Sequence, residues 1–559
     1  MLRLCSGPLM FRFDNSYAAL GQPFSLRQHA VAVREPRLIA FNDDLCARLG
    51  GDAAVVRAEA ADHFSGNRSI SGALPVATAY AGHQFGNFVP QLGDGRAVLL
   101  GEVIGADELR RDLQLKGSGR TPFSRGGDGR AALGPVLREY LLSEAMHALG
   151  VPTTRALAAV LTGEPVFRET VLPGAVLTRV ASSHIRVGTF EFFAARSDLA
   201  SLRKLLSYVV ERHYPESLGS DPRTLGGGAP AEDRSASPSG SLASPAPDAA
   251  QALALLEAVC ARQAALVAQW MAVGFVHGVM NTDNCSIAGE TLDYGPCAFM
   301  EAYDPATVFS SIDRHGRYAF ANQAPIAQWN MARLAEALLP LLDADASRAV
   351  EQATTVVQGF QGVFGLEWQN RLGAKLGLWA LASQSGPAGR DPAGAVEQSE
   401  HGGPSLAGVQ ALPPAPDAAA SADDAQLMAD WLTLLQAHRV DWTNGHRALC
   451  AAAEGDEAPL RDQFVDREAP SAWLARWRTR LGVAAGSSLA AAMRRVNPAY
   501  IPRNHAVEAM IAAATGGDMA PFERLQRLLA TPFAEQPGMA DLARPAPDGA
   551  ARYVTYCGT

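Results

Sequence analysis

The chain has 559 residues, of which 48% are hydrophobic and 19% charged, and its net charge at pH 7 is −9. This length allows two or more domains, the composition is typical of a globular protein, and the acidic balance predicts no attraction of the whole protein to nucleic acid or anionic lipid. No apolar run approaches the roughly 18 residues of a membrane span and no secretory signal opens the chain, so we expect a cytoplasmic protein without a membrane partner.

The first 214 residues predict an N-terminal extension followed by a β-rich lobe. Residues 1–72 contain a short helical pattern near Asp43–Leu49, and we expect them to pack as a cap on the domain that follows. In residues 73–214, short apolar runs predict strands at 96–104, 111–116, 154–161 and 174–181. A helix is predicted at 134–150, where apolar residues recur every three or four positions.

Two segments, residues 215–250 and 383–424, are too rich in Gly, Ser, Pro and Ala to pack, and we predict disordered insertions there. Residues 251–382 carry a long helical pattern at 251–274 and then the central motif of the chain. Residues 425–559 are predicted to form a helical C-terminal extension. All eight tryptophans lie at or after Trp270, which is consistent with a second, mostly helical lobe.

The seven cysteines are scattered and include no C-x-x-C pair, which is typical of a reducing compartment and gives no zinc-site spacing. Cys557 lies in the terminal segment RYVTYCGT, which we expect to be mobile. It is either a redox-active thiol or an ordinary surface cysteine.

The central motif is the segment HGVMNTDNCSIAGETLDYG, residues 277–295. Its His, the Asn284 seven residues later and the closing Asp293-Tyr294-Gly295 follow the order of a protein kinase catalytic loop and its metal-binding turn. In a kinase the second residue after the His is the Asp that takes the substrate proton, whereas here it is Val279. Asp283 lies nearby in another register. The motif therefore indicates either no catalysis or a different chemistry on the same nucleotide.

Three further features of a nucleotide-binding kinase precede this motif in the right order. A glycine segment at 93–96, GDGR, predicts a tight turn between two strands with its N–H groups toward phosphate. Lys116 ends a strand, and Glu139 follows in the next helix. Each has an ordinary structural explanation by itself. Together with Asn284 and Asp293, which are hard oxygen ligands of the kind magnesium prefers, their order predicts an α+β, protein-kinase-like fold with a β-rich N-lobe and a mostly helical C-lobe.

The loop between Lys116 and Glu139, GSGRTPFSRGGDGRAALG, is rich in Gly and Arg and predicts a second anion-binding loop. No Walker lysine follows its glycines, which disfavours a P-loop NTPase. Arg179 and Arg186 add guanidinium groups, which suit phosphate oxygens, although a strand-edge arginine is more often structural.

Four long runs resemble the selenoprotein O family, also called YdiU or UPF0061: LQLKGSGRTPFSRGGDGRAALGPVLREYLLSEAMHALGVPTTRAL, SSHIRVGTFEFFA, HGVMNTDNCSIAGETLDYGP and FANQAPIAQWNMARLAEALLP. The resemblance covers nearly the whole chain outside the two insertions. It implies a kinase-like fold that binds ATP in a flipped orientation and transfers AMP, rather than phosphate, to Ser, Thr or Tyr hydroxyls of protein substrates. We expect a monomer.

The resemblance also implies roles for individual residues. Asp283 would accept the proton, Asn284 and Asp293 would hold Mg²⁺ or Mn²⁺, and Glu139 would pair with Lys116. The implied nucleotide contacts are Gly93, Gly95, Arg96, Lys116, Asp128, Gly129, Arg179, Arg186 and Asp293.

Two departures from the family concern cysteine. Some members carry selenocysteine near the C-terminus, so Cys557 is at most its sulfur counterpart. Bacterial members pair a terminal cysteine with one after the D-Y-G turn, where this chain reads EAYDPATVFSSIDRHG, which leaves Cys297 as the nearby substitute. Two other functions stay open, namely a conventional kinase that uses Asp283 as a displaced base and a non-catalytic nucleotide-binding scaffold.

Overall fold

The sheet and the helices of this protein occupy different parts of the chain. The computed structural model describes residues 10–215, 247–379, 420–482, 485–547 and 553–555. The long strands all lie before residue 182, and the later part is mostly helical. The architecture is therefore mixed, with a β-sheet N-terminal region and a helical C-terminal region, consistent with the predicted α+β class.

The strands of the described residues are β1 (Ser25–Arg27), β2 (Arg37–Phe41), β3 (Val76–Thr78), β4 (Gly82–Gln84), β5 (Asn87–Val89), β6 (Ala97–Ile104), β7 (Arg110–Lys116), β8 (Ala131–Ala132), β9 (Arg155–Phe167), β10 (Val171–Ala181), β11 (Phe275–Val276) and β12 (Ala298–Phe299).

The helices of the same ranges are α1 (Ser16–Ala19), α2 (Asp43–Arg48), α3 (Ala53–Ser65), α4 (Leu133–Ala148), α5 (Val187–Ala194), α6 (Leu199–His213), α7 (Pro247–Ala272), α8 (Gln323–Leu342), α9 (Ala346–Lys375), α10 (Ala422–Ala437), α11 (Trp442–Ala453), α12 (Ala458–Arg461), α13 (Ser471–Leu481), α14 (Ser487–Arg494), α15 (Asn504–Thr515) and α16 (Ala520–Leu529).

The main sheet has the antiparallel order β1-β3-β6-β7-β10-β9-β2, with β8 paired to β10. The predicted strands at 96–104, 111–116, 154–161 and 174–181 are confirmed as β6, β7, β9 and β10, and the helix predicted at 134–150 as α4. Successive residues of β10 point to opposite faces, so Ala175 and Leu177 pack with α4 while Val176 and Val180 pack with the N-terminal helices. Both faces of the sheet are therefore buried.

The N-terminal extension is part of the sheet as well as a cover for it. Its strands β1 and β2 form the two edges of the sheet, and α3 packs on one face through Val56 and Phe64. Asn42 and Asp52 cap α2 and α3 by accepting hydrogen bonds from backbone N–H groups. The extension thus completes the sheet that carries Lys116.

Helix α4 is buried almost all round, because the sheet covers one side and α15 and α16 cover the other. Tyr140 meets the ring of Phe522 on α16 at 5.7 Å. This packing holds Glu139, one residue before Tyr140, in a fixed place beside the end of β7.

Helix α7 corrects one expectation from the sequence. By length and composition its segment Asp248–Ala272 could cross a membrane, a feature that the sequence analysis did not find. Half of its most apolar window is buried inside the protein, where α8 and α9 pack against it. Core packing accounts for that apolar surface.

The structure also moves the limits of the two insertions and of the tail. Residues 247–250 form the first turn of α7 and residues 422–424 the first turn of α10, while 216–246 and 380–419 lie outside the described residues. The tail, which we expected to be mobile, is held at Thr555, whose N–H donates to the Phe309 carbonyl at 2.8 Å. Arg138 of α4 donates to the Tyr553 hydroxyl at 2.7 Å. Cys557 lies outside the described residues.

Candidate active site

A cavity of about 340 Å³ is lined both by the sheet region and by the central motif. Most of the residues that the sequence singled out meet there, because β6, β7 and β10 lie side by side and the motif folds against their ends. The predicted residues that line it are Gly95, Arg96, Lys116, Arg179, Arg186, Asp283, Asn284 and Asp293.

Lys116 lies between two carboxylates at one side of this cavity. Its Nζ is 2.5 Å from Glu139 Oε2 and 2.6 Å from Asp293 Oδ1. Arg179 Nη1 donates to the other Glu139 oxygen at 3.1 Å and its Nη2 to Gln114 at 2.5 Å. Glu139 does not line the cavity, but it fixes two cations that do.

Asp293 stays ionised in spite of its burial. Burial alone would raise its pKa, but Lys116 and Arg179 outweigh that effect and hold the pKa well below its usual range. The group is therefore a permanent anion at neutral pH, as a metal ligand must be.

Arg186 is a buried cation with an unused donor. Its guanidinium stacks on Tyr80 at 4.1 Å, and its Nη1 donates to the Asp283 carbonyl at 3.1 Å. Its Nη2 is buried and has no hydrogen-bond partner among the described residues. Because a buried donor without a partner is costly, an anion in the cavity would be bound favourably here.

Asp283 has one carboxylate oxygen occupied and one free. Gln84 Nε2 donates to Oδ2 at 3.1 Å, whereas the buried Oδ1 has no partner in the described part of the chain. Burial raises the pKa of Asp283 to about 6, although Gln84 and Arg186 oppose the rise. A carboxylate with a free oxygen and a pKa near the working pH suits a general base.

Asn284 and Asp293 line the same cavity and fit a divalent cation of the hard type. The Asn284 amide nitrogen donates to the Val279 carbonyl at 3.0 Å, which leaves its oxygen for a ligand. No group of three His, Cys, Asp or Glu side chains able to hold a metal occurs within the described ranges. Two protein oxygens are nevertheless sufficient where phosphates and water complete the coordination, as is usual for Mg²⁺.

His277 anchors the motif rather than taking part in proton transfer. Its backbone N–H donates to Gln323 at 3.0 Å, its ring lies 5.2 Å from that of Trp270, and burial lowers its pKa to about 4. Val279, at the position of the usual kinase base, lines the cavity without a proton-accepting group.

The β4–β5 hairpin is a part of the site that the sequence analysis missed. Its turn, Phe85-Gly86, has positive φ at both residues, as in a type I′ hairpin. Phe85 N–H donates to Asn281 at 3.0 Å and His83 N–H to Thr282 at 2.6 Å, so the hairpin lies on the central motif. The available sequence signal was the pair Phe85-Gly86, a two-residue turn with glycine between two short segments that can form strands.

The tight turn predicted at residues 93–96 is wrong. Asp94 N–H donates to the Thr78 carbonyl at 3.0 Å, so the segment runs antiparallel to the continuation of β3, and the turn lies instead at Phe85-Gly86. A Cβ on Gly95 would lie 2.9 Å from the Phe123 carbonyl, which explains the need for glycine there. The buried Asp94, also missed, accepts from the Thr78 hydroxyl at 2.7 Å and holds the segment that places Arg96.

Gly93, Asp128 and Gly129 do not line the cavity. Gly93 packs under Phe123, and Asp128 forms an ion pair with Arg168 at 2.8 Å. Gly129 closes the loop by accepting a hydrogen bond from Gly119 N–H at 3.0 Å. Asp128 and Gly129 thus belong to the loop between β7 and α4, and Gly93 belongs to the segment before β6 on which Phe123 of that loop packs.

Comparison with known proteins identifies the family of this chain. A family model described as protein adenylyltransferase SelO matches residues 8–530. A protein of Methylorubrum populi named protein nucleotidyltransferase YdiU is 52% identical over 98% of this chain and 99% of its own length. Proteins of the same name from Cereibacter sphaeroides and Rhizobium meliloti are 51% and 50% identical over 99% and 98% of this chain and 100% and 99% of their own lengths. The chain is therefore a nucleotidyltransferase and belongs to the SelO family of protein adenylyltransferases.

Proposed function

We propose that this enzyme transfers AMP from ATP to Ser, Thr or Tyr hydroxyls of protein substrates and releases pyrophosphate, with Mg²⁺ or Mn²⁺ as cofactor. The observation that carries the proposal is the buried Asp283 carboxylate with one free oxygen, in the same cavity as four cationic side chains. The cytoplasm is the compartment that we expect.

A protein-kinase-like scaffold of two lobes is part of the proposal. The supporting observations are a meander of antiparallel strands with Lys116 at the end of β7, the helix α4 with its Glu139, and the formed ion pair between them. The same pair positions the nucleotide phosphates in protein kinases. Asn284 and Asp293, which lie between α7 and α8, line the same cavity.

A flipped nucleotide fits the distribution of charge in the cavity. Arg179 and Arg186 are only 6% and 5% exposed, so the cation-rich part of the cavity is the buried part. A triphosphate there would meet Arg96, Lys116 and both buried arginines, whereas an adenine would meet unsuitable charges. The nucleoside is expected toward Phe85 and Ile312, of which Ile312 is 53% exposed.

The chemistry follows from this placement. The Asp283 carboxylate accepts the proton of the acceptor hydroxyl, whose oxygen forms a bond to the α-phosphorus. The bond from that phosphorus to the bridging oxygen breaks, and pyrophosphate leaves with the electron pair. Arg186 and Lys116 stabilise the charge that develops on the phosphate oxygens. A bound Mg²⁺, held by Asn284 and Asp293, would neutralise phosphate charge.

The test compares ATP labelled at the α-phosphate with ATP labelled at the γ-phosphate, with intact-mass analysis of the protein after incubation with ATP and Mg²⁺. Label from the α position, together with an AMP adduct, is expected. Transfer from the γ position alone would identify a conventional kinase that uses Asp283 as its base. Tight ATP binding without a covalent product would identify a non-catalytic scaffold.

Gln84→Ala is expected to lower the rate of AMP transfer by about fivefold to tenfold, because a hydrogen bond of about 1 kcal/mol no longer orients the Asp283 carboxylate. The affinity for ATP, measured by calorimetry, should change less than the rate. Gln91→Ala, at an exposed position of the same segment, is the control. An unchanged rate in Gln84→Ala would show that Asp283 needs no help from the hairpin.

A further inference from the structure

A second cavity of about 460 Å³ adjoins the nucleotide cavity. Both are lined by Phe85 and Ile312, so the two are neighbours that share a wall at the tip of the β4–β5 hairpin. The remaining wall of the second cavity comes mainly from the turn at residues 313–317 and the start of α8.

The second cavity is basic in a protein whose net charge is −9. Arg314, His315 and Arg317 line it, and Asp313 is its acidic residue. Asp313 is only 7% exposed, and its two oxygens accept the N–H groups of Arg317 at 2.9 Å and Tyr318 at 2.8 Å. Its charge therefore stabilises the turn, and no carboxylate of the described ranges lies within ion-pair distance of Arg314 or Arg317.

Arg317 is held in place before any ligand arrives. Its guanidinium lies 4.8 Å from the ring of Trp329, which also meets the ring of His83 at 5.3 Å. It is also next to the hairpin turn, since a Cβ on Gly86 would lie 3.7 Å from the guanidinium carbon. This hairpin also carries Gln84, which contacts Asp283, so the fixed cation and the proposed general base contact the same hairpin.

We propose that the second cavity docks the acceptor segment of the protein substrate and selects segments with an acidic side chain near the acceptor hydroxyl. This inference rests on the proposed function. The triphosphate already has four cations of its own in the first cavity, so Arg314 and Arg317 are free for another anion. A local basic cleft on an acidic protein attracts and orients an acidic partner segment while the rest of the surface repels it.

The apolar part of the cavity supports the same occupant. Phe85 and Ile312 are left to the nucleoside, whereas Pro325 and Ile326, at the start of α8, line only the second cavity. An extended segment can place an apolar side chain against them while its carboxylate meets the arginines. A small anion would use the charges but leave the apolar wall uncovered.

The experiment uses the full-length protein, ATP labelled at the α-phosphate, and two synthetic peptides with one Ser acceptor, flanked by Glu in the first and by Lys in the second. The wild type is expected to modify the Glu peptide with a kcat/KM about tenfold higher, as for a charge pair worth about 1.4 kcal/mol. Arg314→Glu should abolish or reverse this preference, through KM for the peptide rather than KM for ATP. Arg527→Glu, an exposed change on α16 that is outside both cavities, should keep the preference.

Other results would overturn the inference. Equal modification of both peptides by the wild type, or self-modification with neither peptide labelled, would refute acidic selection while AMP transfer stands. A rise in KM for ATP in Arg314→Glu with both peptides would assign the second cavity to the nucleotide. If the α-label were transferred neither to the enzyme nor to a peptide, the proposed function would be refuted instead. Arg317→Glu is a second variant with the same expected loss of preference. Arg314→Glu is less disruptive to folding, because Arg314 is exposed whereas Arg317 packs on Trp329.

Discussion

Asp283→Ala is expected to lower the rate of AMP transfer by roughly two to four orders of magnitude, the usual share of general base catalysis. The affinities for ATP and Mg²⁺ should change little, because the Asp283 carboxylate forms no direct ion pair with the cations of the cavity in the described residues, and its backbone carbonyl, which accepts from Arg186 at 3.1 Å, remains in the variant. Single-turnover transfer from α-labelled ATP gives the rate, and calorimetry gives the affinities.

Asp283→Asn is the matched control for this prediction. Its amide oxygen can still accept the hydrogen bond from Gln84, so the local packing is kept while the basic group is lost. We expect a loss of rate close to that of Asp283→Ala. Full activity in both variants would remove Asp283 from the mechanism, and an equal loss of ATP affinity in both would make it a third metal ligand.

Asp293→Ala is expected to remove the metal-dependent part of ATP binding together with turnover. The loss in metal affinity should exceed the roughly 10–100-fold that follows removal of an outer-shell partner. Without a metal, ATP should bind to the variant at least as well as to the wild type, because Lys116 loses one of its two carboxylates and the cavity becomes more positive. Calorimetric titration of ATP with Mg²⁺ and with a chelator separates the two effects.

Asp541→Ala is the control for Asp293→Ala, since Asp541 forms an exposed ion pair with Arg524 and lies outside the cavity. It should leave both titrations unchanged. If Asp293→Ala weakened ATP binding equally with Mg²⁺ and with the chelator, the carboxylate would act by holding Lys116 in place rather than by binding the metal.

Local patterns predicted the elements that carry the site. The strands β6, β7, β9 and β10 and the helix α4 follow directly from apolar periodicity, because burial of both sheet faces and of α4 requires it. The order of four residues along the chain was sufficient to predict that they meet. Lys116, Asn284 and Asp293 line one cavity, and Glu139 lies behind it in an ion pair with Lys116.

Contacts between distant segments were not predictable in the same way. The edges of the sheet are β1 and β2 from the N-terminal extension, and strand pairing over such distances has no local signal. The glycines at 93 and 95 were assigned to a turn, although they are required by the loop around Phe123 that packs on them. Glycine has the same sequence signature for a turn and for a close approach of two segments.

The sequence by itself determined the family, the secondary structure around the site and the identity of the ionic groups, since these depend on residue order and short-range periodicity. Only the tertiary structure decided which oxygen of Asp283 has no partner, that Gln84 binds the other, and that Arg314 and Arg317 line a cavity next to that of Asp283. Gln84 and Asp283 are 199 residues apart. Their contact depends on how the hairpin packs on the central motif, which is a property of the folded core and of no single segment.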